Sequence, residues 1–508
     1  MEHDEQERAP GTAAKEPLPG SNQDKADRSL YVVLLATAGL LLARIPVIAL
    51  RRFDPDEFEH AHAAWCVWKG MIPYKDFFEH HTPWYHYLLS TFFRWFDVAG
   101  SFESGRHFLI LGRGLSLALT FLTILLIIRA GRIWEDRRVG VLAGFLLVGQ
   151  PVFFQKTLEI RPDVLALPFF LGALVLLLRA LSPTATRQLR NFFLGGLCLG
   201  ASIMCTQKML FVLPGMCMGL GVWALLGEDW PRRRSRLIAV AILFLGLAIP
   251  FSLTWFAFTL GHAGSDMIRN NFLLNAHWKY VVHQQLLRVL EGSWPVLILA
   301  LLGAAVVVYH FIRSKHRRYD GLLLVCILLG LIAGILVVPV AHRQYYLMPI
   351  PIACLLAARA GTFLVDLAQQ RTRAGLLLLA TIPLAVLPVL GLREAFDDPN
   401  DQQLARLHYV YDNTKPTDLM MDGWEGTGVF RPHAFYYYFI HEELVPMLPR
   451  DRVDALLHDL EQGKTRPRLI ALDKNLIALG SRFVGFVERN YVTKDDFFYL
   501  SAPPPGNK

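Results

Sequence analysis

Residues 54–87 read DPDEFEHAHAAWCVWKGMIPYKDFFEHHTPWYHY, with six carboxylates and five histidines among many aromatic side chains. The acids are Asp54, Asp56, Glu57, Glu59, Asp76 and Glu79, and the histidines are His60, His62, His80, His81 and His86. The stretch directly follows a long apolar segment, where ionisable groups are costly unless they face water, a ligand or a metal. A carboxylate so held can take a proton from a weak nucleophile.

Four further sites carry charge between apolar runs. EIRPD supplies Glu159, Arg161 and Asp163; TQKM supplies Gln207 and Lys208; AHRQYY supplies His342, Arg343, Tyr345 and Tyr346. Residues 261–294 supply His262, Asp266, Arg269, His277, Lys279 and His283. Carboxylates at the centre of a cavity with cations at its rim suit an anionic, lipid-linked substrate and a proton to be removed. The same histidines raise a metal question. Glu79 and His80, with His81 and with His262 or His277 from the later loop, offer a carboxylate–imidazole set for a divalent ion.

Such groups need elements that bring them to one end of the molecule. The chain has 508 residues, 53% of them hydrophobic, and a mean hydropathy of +0.34, too apolar for a soluble globular protein. Its apolar runs recur at lengths near the roughly 20 helical residues that cross a hydrocarbon core. The formal charge of +8 sits in short basic clusters between these runs, as membrane topology requires, so nucleic acid is not an expected partner. The six cysteines form no CxxC pair; all but Cys66 lie in apolar runs and read as small hydrophobes.

Residues 1–28 read as a disordered cytoplasmic tail and 29–50 as a retained signal anchor. Basic clusters at 129–138, 179–190, 232–236, 313–318 and 371–373 are expected in the cytoplasm. Spans at 106–129, 138–155, 161–179, 190–206, 208–226, 235–260, 295–313, 319–340, 345–369 and 375–392 then complete about eleven crossings. Every charged motif named above emerges on the non-cytoplasmic side, in a first loop 51–105, a long loop 261–294 and the shorter connections. Residues 84–96 are aromatic but short, and read as an interfacial or re-entrant helix.

The transmembrane part thus runs over 29–392. After it, 393–508 becomes charged and turn-rich and reads as a small extracytoplasmic α/β domain. Helices are expected at 401–411, 442–461 and 481–490, and strands at 418–422, 468–473 and 497–500. The expected fold is an all-α polytopic membrane protein with this domain appended.

In family order, DPDEFEHA, PYKDFFEHHTPWYHYLL, EIRPDVLALPF and HRQYYLMPIPIACLLA resemble the GT-C superfamily of polyprenol-phosphate-sugar transferases. The branch looks like the bacterial RgtA/B/C/D-like proteins, relatives of the protein O-mannosyltransferases and the lipid A aminoarabinose transferases. The resemblance implies inverting transfer of a sugar from a polyprenyl phosphate to an acceptor hydroxyl on a glycan, glycolipid or protein, at the outer face of a bacterial inner membrane. It puts the acidic pair on Asp56 and Glu57, with Asp56 as the base, and a further acid at Asp163. A phosphate leaving group needs positive charge rather than a general acid, and Arg161, Lys208, Arg269 and Arg343, with Tyr345, are the candidates. Some relatives hold a metal, which Glu79, His80 and His262 would bind here. A lipid-linked-sugar transporter or flippase is the reading from another class; Arg44 and Arg113, nearer mid-span, are the residues that argue for it.

Overall fold

The computed structural model describes residues 22–182, 185–226, 229–276, 284–314, 318–338, 341–367, 390, 393, 396–494 and 498–501. Most of the expected tail, the segment 277–283 with His277, Lys279 and His283, and nearly all of the last expected span at 375–392 lie outside them.

The molecule is a helical bundle carrying a small mixed sheet. Among the described residues, eight helical segments are long and apolar enough to cross a membrane: Leu30–Leu50, Phe102–Trp134, Pro162–Leu181, Gln207–Leu225, Trp230–Leu260, Gly292–Arg313, Tyr319–Val337 and Pro349–Leu367. Two expected spans differ from this set. The 138–155 run is two short helices, Arg137–Val148 and Pro151–Lys156, because Pro151 cannot continue the first helix and instead opens the second. The 190–206 run forms the helix Gln188–Cys205, which is 18 residues long and not among the eight. That helix packs on Trp230–Leu260 at backbone contact. A Cβ on Gly196 would collide with the Leu243 carbonyl and one on Gly246 with the Phe193 carbonyl.

The first loop is folded, not extended. Its helix Pro55–Trp68 begins with a capping box: Asp54 accepts from the backbone of the first turn and the Glu57 carboxylate accepts from the Asp54 N–H at 2.9 Å. Pro55 at the first helical position fixes the entry. Residues 84–96 become a helix Trp84–Ser90 and a 3-10 turn Thr91–Trp95, too short to cross a bilayer, with Tyr85, His86, Leu89 and Phe93 buried.

In the C-terminal domain the strands β1 (Met420–Asp422), β2 (Leu469–Ala471), β3 (Tyr491–Thr493) and β4 (Phe498–Ser501) lie in the order β1-β2-β4-β3. β1 and β2 are parallel and the other pairs antiparallel. The helix Ser481–Asn490 falls where the sequence puts it, and its Phe483, Phe486 and Val487 pack on Met421 and Ile470. The single helix expected at 442–461 is a 3-10 turn, Val445–Met447, then a helix Arg450–Glu461, because Pro446 and Pro449 interrupt it.

This domain is bound to the first loop by backbone and side-chain hydrogen bonds. Phe78 N donates to the Tyr436 carbonyl at 2.9 Å, and Gln403 exchanges bonds of 2.7 and 2.9 Å with the Phe53 backbone. Buried Arg431 donates to the Ala99 carbonyl at 2.9 Å.

Candidate active site

The loops meet around one cavity of about 330 Å³. Asp54, Asp56 and Glu59 reach it from the capped loop helix, and His80 and His81 from the irregular stretch that follows. Lys156 and Arg161 come from the two sides of the 157–160 turn, Gln207 and Lys208 from the start of the Gln207–Leu225 segment. His342, Arg343 and Tyr345 enter from the 3-10 turn before Pro349–Leu367, and Trp424, His441 and Glu443 from the C-terminal domain.

Arg161 is the hub. Its Nη2 lies 2.7 Å from Asp56 Oδ2 and 3.1 Å from Asp54 Oδ1, while its Nε donates to Glu159. Lys156 Nζ bonds Asp54 at 2.8 Å and both Glu159 oxygens at 2.9 and 3.0 Å. Burial pushes the Asp56 carboxyl up, but Arg161, then Lys156 and His342, outweigh it and hold it below the ordinary aspartate value. Asp54 is held low in the same way, against burial, chiefly by Arg161. Glu59 is the opposite case. Burial and the neighbouring Glu79 and Asp56 raise it well above the usual carboxylate range.

Lys208 is buried, with its Nζ 3.2 Å from Asp163 Oδ1 and 4.6 Å from the centre of the Tyr345 ring. Arg343 donates to Gln155 at 3.3 Å. Four cations, Lys156, Arg161, Lys208 and Arg343, therefore share the lining of this space with the carboxylates of Asp54, Asp56, Glu59 and Glu443.

Of the residues singled out from sequence, Asp54, Asp56, Glu59, His80, His81, Arg161, Gln207, Lys208, His342, Arg343 and Tyr345 line this cavity. Glu57 does not. It is fully buried and takes Arg113 through both oxygens, at 2.7 and 2.8 Å, and the Ile160 N–H at 3.1 Å. Asp163 also lies off the cavity lining and is hydrogen-bonded to Lys208, which is part of it. Arg269 sits in the turn Arg269–Leu274 near Tyr437, and His262 at a turn with φ +59°; neither lines the cavity. Lys156 and the C-terminal trio are not among the residues the sequence singles out. Lys156 follows four apolar or amide residues at the end of what reads as a span, and nothing in the composition of the C-terminal domain marks Trp424, His441 or Glu443.

The metal question has a local answer. One ligand atom from each of Glu59, Glu79, His80 and His81 lies within 4.8 Å of the others. Glu79 Oε1 accepts from His80 N, His81 N and His81 Nδ1, all at 2.9 Å. Its Oε2 is buried and, among the described residues, has no hydrogen-bond partner. Burial holds both imidazoles below the ordinary histidine value, His81 at about 3, and a neutral imidazole is the form that ligates a cation. The donor set suits a divalent ion; His262 is not part of it.

Residues 80–255 match a family model described as dolichyl-phosphate-mannose-protein mannosyltransferase. ArnT from Cupriavidus metallidurans, solved bound to undecaprenyl phosphate, matches with a TM-score of 0.63 at 13% identity, over 92% of this chain and 97% of that one. The apo oligosaccharyltransferase of Archaeoglobus fulgidus matches at 0.59 and 12% identity, over 87% and 70%. The oligosaccharyltransferase AglB from the same organism, in complex with an inhibitory peptide and a dolichol-phosphate, matches at 0.53 and 14%, over 79% and 64%. No curated protein sequence matches this chain. The chain thus shares the fold of these structures, and the family-model match covers residues 80–255 of it.

Proposed function

We propose that this protein transfers a sugar from a polyprenyl phosphate to an acceptor hydroxyl, with inversion at the anomeric carbon. One observation carries the reading: the Asp56 carboxylate opens onto a cavity walled by Lys156, Arg161, Lys208 and Arg343. In the step, the acceptor oxygen forms a bond to the anomeric carbon while its proton passes to Asp56. The bond from that carbon to the phosphate oxygen breaks, and its electron pair leaves with the polyprenyl phosphate. The cations stabilise the charge that gathers there, so no general acid is required.

Arg161 has two tasks in this account. In the resting site it keeps Asp56 ionised. An arriving phosphate draws part of its charge away, which raises the basicity of Asp56 just as the acceptor needs it. Asp163 is a positioning residue that holds Lys208, and Glu57 one that holds the loop helix. A divalent ion held by Glu59, Glu79, His80 and His81 would add positive charge beside the phosphate.

Undecaprenyl phosphate and dolichol-phosphate in the two matched structures support a polyprenyl phosphate donor. We assign the reaction to the outer face of a bacterial inner membrane, with the N-terminus cytoplasmic, 29–392 in the membrane and 393–508 outside it. The test uses protein in detergent with no vesicle present. Wild type should transfer or release sugar from a polyprenyl-phosphate hexose, and Asp56→Asn should not. Sugar movement in vesicles without any release in detergent is the result that favours a transporter. The residues that argue for that reading are otherwise engaged. Arg44 donates to Phe154 O and Thr157 Oγ1, both at 2.7 Å, and Arg113 to Glu57.

A further inference from the structure

The cavity has two walls of different chemistry. One is cationic and stands at the ends of membrane helices: Arg161 precedes Pro162–Leu181, Lys208 opens Gln207–Leu225, and Arg343 and Tyr345 precede Pro349–Leu367. The other is contributed by the C-terminal domain as Trp424, His441 and Glu443. Resting on the transferase reading above, we propose that this second wall is a sugar-ring subsite, with the Trp424 indole as platform and donor and Glu443 as acceptor for ring hydroxyls.

The turn that presents Trp424 is fixed from within the domain. Asp422, at the end of β1, accepts from Gly426 N at 3.2 Å, Thr427 Oγ1 at 2.6 Å and Gly428 N at 3.1 Å. Asp473 accepts from Trp424 N at 2.6 Å. A side chain on Gly423 would collide with that same Asp473 carboxylate, and Gly426, at φ +76°, lies against Phe58 of the loop helix. The backbone around Trp424 is thus held on both sides, which pre-organises the indole. The ring itself leans on Phe439 and His441, with centroid separations of 6.4 and 6.3 Å.

Two features then point to a ligand. The indole Nε1 is buried and, among the described residues, meets no hydrogen-bond acceptor. A buried indole N–H almost always has one, and the residue that carries it lines the cavity. Glu443 takes His342 Nε2 at 3.2 Å on one oxygen and His441 Nδ1 at 2.7 Å on the other. Each carboxylate oxygen keeps a lone pair for a further donor. A sugar ring offers hydroxyls that both donate and accept and a C–H face for an aromatic surface. A phosphate does not fit here, because Glu443 repels it. The two walls therefore divide the substrate: phosphate against the span ends, sugar against the C-terminal domain.

The ring is either the donor's sugar or the terminal sugar of the acceptor, and one experiment separates them. Saturation-transfer NMR would follow a panel of methyl hexopyranosides on the full-length protein in detergent, beside the affinity for undecaprenyl phosphate. At least one glycoside should bind wild type. Trp424→Ala and Glu443→Gln should each weaken that glycoside about tenfold or more. Trp424→Phe, which keeps the face and removes the N–H, should fall between, and undecaprenyl phosphate should bind all of them within about twofold of wild type. Displacement of the glycoside by undecaprenyl-phosphate hexose assigns the subsite to the donor; retention assigns it to the acceptor. If wild type binds undecaprenyl phosphate but no glycoside, or if Trp424→Ala and Trp424→Phe bind the glycoside as wild type does, the subsite is overturned while the transferase reading stands. Failure of wild type to bind undecaprenyl phosphate removes both.

Discussion

Asp56 and Glu57 are adjacent in the chain, and each is paired with an arginine. Glu57 and Arg113 are buried together at 0% and 2% exposure, and each Arg113 nitrogen that faces the loop finds a carboxylate or backbone carbonyl oxygen. Asp56 and Arg161 share one bond at 2.7 Å, and Asp56 remains on the wall of an open cavity. The first pair is closed and fully satisfied; the second has room for a third party. A closed pair fixes the shape of the loop. An open one can trade its partner for a substrate phosphate and take part in the reaction.

The contrast can be broken most severely on the closed side. Glu57→Ala strands a buried guanidinium, and removing one partner of such a pair costs about 3–5 kcal/mol. The thermal midpoint in detergent should drop steeply, or folded yield should vanish, whereas Asp56→Asn should melt near wild type. A Glu57→Ala protein as stable as wild type would erase the distinction.

On the open side the effect should fall on rate. Loss of the base in Asp56→Asn should cut transfer by at least about 10²–10⁴-fold. Arg161→Gln should reduce kcat/KM and also move its acid limb. With Arg161 in place, Asp56 is held below its ordinary value, and the limb should lie correspondingly low. Without that charge, burial and the neighbouring acids raise Asp56, so activity should be lost at a higher pH as the medium is acidified. A limb that stays in place or moves down in Arg161→Gln contradicts the sign.

Smaller effects sharpen the boundary between the two regions. Asp163→Asn loosens Lys208 without touching the cavity, and transfer should fall about tenfold, the scale of one hydrogen bond to a charge. Arg269→Ala and His262→Ala, both off the cavity, should keep transfer within about twofold of wild type. A chelator should act through His80 and His81 and not through His262. Loss of activity on chelation that persists in His262→Ala and is absent in an active His80→Ala protein would match the Glu59–Glu79–His80–His81 set.

The charged rim of the cavity is legible in the amino-acid sequence. Motifs such as EIRPD and TQKM stand out because the residues around them are apolar, and the placing of the basic clusters leads to the expectation that they gather at one end. Most span ends follow from length and hydropathy; the clearest departure is where Pro151 breaks a run in two. The division of labour between Asp56 and Glu57 is not legible. It depends on Arg113, buried in the Phe102–Trp134 helix and 56 positions away, which no spacing rule couples to the loop. The burial of Glu59 is not legible either, because it comes from contacts distant in sequence, among them the Tyr438 hydroxyl donating to its carbonyl at 3.4 Å. Sequence favours His262 over His81 as a ligand because adjacent histidines need not point the same way. Here both imidazoles reach the group, His81 being turned by its bond to Glu79.

The central claim is that Asp56 is the proton acceptor and not a ligand for the donor. Asp56→Asn, purified in detergent, should bind undecaprenyl phosphate within about threefold of wild type while its transfer from a polyprenyl-phosphate hexose falls by about 10²-fold or more. Transfer at the wild-type rate, or loss of transfer matched by an equal loss of lipid phosphate binding, would contradict it.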